Sequence, residues 1–114
     1  MAETYQDGEA HTANMYYDPR FVRQAVKILP GEYFSTSNDT LMVTVLGSCV
    51  SACLMDLHNG IAGMNHFLLP SDKGSEGEFS AGSRYGVYAM ELLINQMMKQ
   101  GADKRHLQAK VFGG

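Results

Sequence analysis

Two cysteines, Cys49 and Cys53, stand close in sequence to a histidine, His66, in this chain of 114 residues. A thiolate is a strong nucleophile, and an imidazole can take its proton and later return it, so a Cys–His pair suits acyl transfer. Cys49 follows Gly47-Ser48 directly. Glycine permits close backbone approach there, and a cysteine at such a strand end can aim its own N–H and its neighbour's at a substrate oxygen, as an oxyanion hole requires. A third group normally orients the imidazole. The hydroxyl of Thr44, at the end of a preceding apolar run, is a candidate. Each residue also has a plainer reading: free cysteines are commonly buried, a histidine in an apolar run is commonly a core residue, and strands favour threonine. His58, His66, Cys49 and Cys53 match no strong zinc spacing, since paired CxxC knuckles are absent. Neither metal nor cofactor is expected.

A hairpin would have to bring these groups together. Asn59-Gly60 lies between two apolar segments, 49–57 and 61–69, and is the strongest short-range hairpin signal. A turn at Asn59-Gly60 sets Cys53 opposite His66; one at Leu57-His58 sets Cys49 there instead. Both cysteines share a face of the strand with His66, because residues i and i+4 do. In a regular strand they lie about 13 Å apart, too far for a disulfide. The choice of thiol stays open on these grounds.

The surrounding elements read as follows. Residues 1–20 are polar and mixed, a tail that Tyr16, Tyr17 and Phe21 could pin to the body. Ala25–Leu29 reads as a short strand ended by Pro30-Gly31, with Glu32–Phe34 as an extension and 35–39 as a polar loop. Leu41–Leu46 is β-branched and continuous, a strand broken by Gly47. Pro70 ends the second hairpin arm, and 71–86, with four glycines, reads as a loop. From about 83 to 100 the spacing is helical, with Val87, Met90, Leu93, Ile94, Met97 and Met98 on one face and Glu91, Asn95, Gln96 and Lys99 opposite. Gly101 is the expected stop. Residues 107–112 read as a last strand before Gly113-Gly114. The order implies an α/β domain with a largely mixed sheet and a helix over one face.

Composition narrows the class. The length fits one domain. Nine Lys+Arg against twelve Asp+Glu give a net charge of −3, without the basic stripe a general nucleic-acid binder needs. No apolar run reaches the length of a membrane span. Met1–Asp7 has neither the basic nor the apolar region of a secretory signal. These features lead us to expect a cytoplasmic protein with reduced thiols.

The block Thr44-Val45-Leu46-Gly47-Ser48-Cys49-Val50, followed by Gly63-Met64-Asn65-His66-Phe67-Leu68-Leu69-Pro70, resembles the chemoreceptor glutamine deamidase family, CheD. Leu29-Pro30-Gly31-Glu32-Tyr33, Arg84–Glu91 and Lys110-Val111-Phe112-Gly113-Gly114 extend the resemblance over about residues 21–114. It implies a layered α/β sandwich, similar to glutamine-deamidating bacterial toxins. It also implies hydrolysis of particular glutamine amides on the cytoplasmic helices of methyl-accepting chemoreceptors, giving glutamates; some members also cleave glutamyl methyl esters. The family's cysteine follows Gly-Ser and so falls on Cys49, its histidine falls on His66, and its threonine falls on Thr44, although some members carry one more residue between that threonine and the cysteine. A CheC-type phosphatase is a partner of some members. Two other classes compete: a non-catalytic chemotaxis adaptor, which would not need Cys49, His66 and Thr44, and a transglutaminase-like acyl transferase, which would pass the thioester to an amine. The resemblance further implies continuation beyond the Gly-Gly turn, so that this chain would lack C-terminal strands and expose an edge of its sheet.

Overall fold

The computed structural model describes residues 14–69 and 81–114. Residues 1–13 of the expected tail, and Pro70 with residues 71–80 of the expected glycine loop, lie outside them. Among the described residues, seven strands, β1 (Met15–Asp18), β2 (Arg23–Lys27), β3 (Tyr33–Thr36), β4 (Leu41–Val43), β5 (Val50–Asp56), β6 (Ile61–Asn65) and β7 (Gln108–Gly113), accompany one α-helix, α1 (Ala81–Lys99), and a 3-10 turn at Lys104–His106. This is an α/β fold with two sheets. β1-β2-β4 is mixed, since β2 pairs antiparallel with β1 and parallel with β4. β3-β6-β5-β7 is antiparallel throughout.

Two apolar cores hold the layers. Leu54 and Ile61 of the four-stranded sheet are buried with Leu93 and Met97 of α1. Val26 and Ile28 are buried with Phe34, and Met42 and Met64 pack against them, so this core joins both sheets. Strand alternation explains the division: Leu54 faces the helix, while Phe34 and its cross-strand partner Met64 face the three-stranded sheet.

Several elements differ from their sequence reading. Met15–Asp18 does not continue as a tail: it forms β1, with Met15 packed on the second core and Asp18 buried. Tyr33–Thr36 is a strand in its own right and not an extension of β2, because the turn closed by the Glu32 N–H on the Leu29 carbonyl (2.9 Å) redirects the chain. Ser35 and Thr36, read as loop residues, are buried in that strand; the Ser35 hydroxyl bonds the Gln100 side chain, which makes burial tolerable. β4 stops at Val43, short of Leu46. The helix starts at Ala81, so 81–86 belong to it and not to a loop. Its buried side carries Leu93, Gln96 and Met97, whereas Val87 (58% exposed) and Met98 (43% exposed) face outward. The contact row is therefore the i, i+4 line through Ala89, Leu93 and Met97, which meets β6. The helix ends at Gly101 as read, with the Ala102 N–H on Met97 and the Gly101 N–H on Met98 (both 3.0 Å).

The hairpin forms with a register between the two expected ones. Four residues, 57–60, make the loop, and Asp56 pairs with Ile61. Asp56 dictates this closure: its buried carboxylate accepts from the Asn59 N–H (3.0 Å) and side-chain amide (2.8 Å), while Gly60 turns at φ +71° and donates to the Asp56 carbonyl (2.8 Å). The Asp103 N–H adds a third bond at 2.7 Å. The Asn59 amide, then the Asp103 N–H, hold this carboxyl down to about 2. A carboxyl lower in the folded state than its unfolded value near 3.9 contributes stability that is present above about pH 4 and lost as pH falls through 2. We expect the melting midpoint to decline across that window and the decline to be shallower in Asp56→Asn. Asp18 and Asp103 are also held low, by bonds to Arg20 and Arg105, so an identical slope in the variant would remove Asp56 from this role.

Candidate active site

His66 follows β6 directly and is clamped by the chain that follows β2. Its carbonyl accepts from the Gly31 N–H (2.8 Å), and its N–H donates to the Glu32 carbonyl (3.1 Å). The Pro30-Gly31 turn thus fixes the histidine backbone. Only 4% of the residue is exposed.

The imidazole is fixed by the end of the β2–β4 ladder. Ile28 N–H donates to the Val43 carbonyl (2.8 Å), continuing the parallel register of Lys27 with Val43. There β4 ends, and the Thr44 hydroxyl takes the Ile28 carbonyl at 2.6 Å. The same Thr44 Oγ1 lies 2.7 Å from His66 Nδ1, and the Ile28 carbonyl lies 3.3 Å from that nitrogen. Proton inventory assigns the tautomer. A carbonyl only accepts, so the single Thr44 proton goes to Ile28, and the hydroxyl must accept from Nδ1–H. Nε2 is then the unprotonated nitrogen, free to take a proton. It is buried and has no hydrogen-bond partner among the described residues.

Both cysteines are unpaired and partly buried. The ladder pairs Cys53 with Met64 and bridges Val50 to Phe67. That register puts Ser51 opposite His66, with Cys49 and Cys53 one diagonal step away on either side. Neither cysteine faces His66 directly, as each expected turn would have required, but both keep to its face because the shift is even. The thiols differ in setting. Cys53 lies within β5, where burial pushes its thiol up. Cys49 precedes the strand, next to exposed Gly47 and Ser48. No thiol is hydrogen-bonded to His66 Nε2. His58 is set apart, its ring tilted against that of His106 with centroids 4.5 Å apart, at the far end of the hairpin.

Two site residues were not singled out from the sequence. Ser51, opposite His66, has a buried hydroxyl beside the Cys53 thiol. Asn65 is buried, and its side-chain oxygen accepts from the Ala52 N–H at 2.8 Å, replacing the main-chain carbonyl on that rung of the hairpin. An amide between Met64 and His66 in an apolar strand was the available signal, since buried polar side chains need partners.

Residues 68–114 match the family model described as CheD chemotactic sensory transduction. The chain is 57% identical over 107 residues to a protein of Janthinobacterium sp. (strain Marseille) named "Probable chemoreceptor glutamine deamidase CheD", covering 93% of this chain and 53% of that one. Proteins of the same name from Herminiimonas arsenicoxydans (57% over 108 residues) and Cupriavidus metallidurans (51% over 116 residues) match over 93% and 100% of this chain, and again 53% of theirs. These matches make the chain similar to the CheD family. It spans about half the length of these curated relatives. Among the described residues, no helix is long and apolar enough to cross a membrane.

Proposed function

We propose that this chain carries the Cys–His chemistry of a protein-glutamine deamidase whose substrates are glutamines on the cytoplasmic helices of methyl-accepting chemoreceptors. The observation that carries the reading is the relay from His66 Nδ1 through Thr44 to the Ile28 carbonyl, which leaves Nε2 as a base. The names of the relatives supply the substrate class. Residues 21–114, extended by β1, act as the deamidase unit. The site works on the cytoplasmic side of the membrane, and a CheC-type phosphatase is its regulator by family resemblance alone.

Cys49 is the nucleophile in this reading. It stands just before β5 beside exposed Gly47 and Ser48, and its thiolate attacks the glutamine carboxamide carbon as His66 Nε2 takes the thiol proton. Backbone N–H groups at Ser48 and Cys49 hold the oxyanion. His66 returns the proton to the departing nitrogen, the C–N bond breaks and ammonia leaves a thioester. Water then attacks this thioester with His66 again as base, and the C–S bond breaks. The products are glutamate and free Cys49 thiol, so the sum is glutamine and water to glutamate and ammonia.

The test is incubation with chemoreceptor cytoplasmic fragments, with Gln-to-Glu conversion mapped by mass spectrometry. Conversion at discrete glutamines is expected. Attachment of an added amine would instead identify an acyl transferase, and binding without conversion an adaptor. Thr44→Val should lower kcat about tenfold, the worth of one orienting hydrogen bond. The loss is limited because Nδ1–H keeps the Ile28 carbonyl within reach. An unchanged rate would remove Thr44 from the site.

A further inference from the structure

β7 is exposed along its whole length and adds no buried side chain to either core. What it does contact is the backbone of β5, ending beside Cys49. Its last rung pairs Gly113 with Val50. Gly113 adopts φ +110°, and a Cβ there would fall 2.3 Å from the Cys49 carbonyl oxygen and 3.1 Å from Val50 Cα. Both are backbone atoms with no side-chain freedom to yield. The next residue, Gly114, donates its N–H to the same Cys49 carbonyl at 3.3 Å.

The peptide between Cys49 and Val50 is thereby held from both sides. Its carbonyl is met by Gly113-Gly114, and its N–H donates to the Phe67 carbonyl at 2.8 Å, one residue beyond His66. On the other side of Cys49, Gly47 and Ser48 are exposed. The location of Cys49 relative to His66 is therefore set by this peptide. We propose that Gly113 is a positioning residue for Cys49, its missing side chain letting β7 close on the Cys49 carbonyl and hold the thiol in working geometry. The proposal rests on the reading of Cys49 as the nucleophile. Any side chain at 113 must push the Cys49 backbone or β7 by about 1 Å, and a misplacement of that size can cost on the order of 10²-fold in rate.

The experiment compares Gly113→Ala with Gly114→Ala. Gly114 also has a positive φ (+98°), but nothing lies within 4 Å of where its Cβ would be, so the second variant carries the backbone strain without the collision. Two readouts are taken: kcat and KM for glutamine conversion, and the pH profile of iodoacetamide alkylation at Cys49, with Cys53 in the same molecule as reference. Gly113→Ala should lose about 10²-fold in kcat with little change in KM. Its Cys49 should alkylate more slowly near neutral pH while Cys53 is unaffected, and Gly114→Ala should stay within a few-fold of the parent. Unchanged kcat and an unchanged Cys49 profile in folded Gly113→Ala would overturn the proposal, as would equal losses in both variants. Should Gly113→Ala not fold, Phe112→Pro replaces it, since Phe112 is exposed and the N–H that proline removes faces β5 opposite Ser51; wild-type Cys49 reactivity in that variant would also overturn it. Parent protein that converts no glutamine defeats the deamidase reading, while the alkylation comparison still decides the positioning role.

Discussion

Cys49→Ala should abolish glutamine conversion while leaving the melting midpoint close to that of the parent. A nucleophile acts with its base as a unit, and deleting it from such a unit costs on the order of 10⁶-fold in kcat. Cys53 cannot take over. It is a diagonal neighbour of His66 on the same face, but it sits inside β5, and burial pushes its thiol up, away from the thiolate that attacks. Cys53→Ala should therefore stay within a few-fold of the parent rate. Site-resolved mass spectrometry of chemoreceptor fragments checks both. Conversion that survives Cys49→Ala would sink the assignment, and equal loss with Cys53→Ala in a folded protein would show that strand position does not separate the two thiols.

His66→Gln should lower kcat by roughly 10²–10⁴-fold, the usual contribution of a positioned general base. Glutamine is preferred to alanine because it keeps much of the side-chain volume in a site that is only 4% exposed. The fold should tolerate the change. Thr44 keeps its own partner in the Ile28 carbonyl, and the histidine backbone keeps its bonds to Gly31 and Glu32. Adding Thr44→Val to His66→Gln should cost nothing further, because the threonine acts only through the imidazole. A further tenfold loss in the double variant would mean that Thr44 acts by another route. A rate within tenfold of the parent for His66→Gln alone would dismiss the base.

The candidate site was partly legible in the sequence because part of it is local. Asn59-Gly60 marks a reversal through backbone sterics alone, and strand alternation then places Cys49, Cys53 and His66 on one face whatever the even register. The end of α1 at Gly101 is local in the same way. Where polar residues run between strands, local reading failed. Ser35 and Thr36 look like loop residues until β3 is paired with β6 and Gln100 meets the serine. Gln96 looks like a surface residue until the side that α1 buries is known.

The sequence by itself determined that a thiol and an imidazole share a hairpin, that a helix follows, and which family motifs surround them. Tertiary structure alone decided the register, because the Asp56 carboxylate that gathers in Asn59 and closes a four-residue loop is itself tied to Asp103, 47 residues away. It also decided the contact of Thr44 with His66, which depends on the parallel pairing of β2 with β4 ending where the hydroxyl can take over the Ile28 carbonyl. Backbone sterics and side-chain alternation act over a few residues and can be read in order along the chain. Hydrogen bonds that fix a tautomer or a rung join groups whose separation in sequence carries no trace of their separation in space.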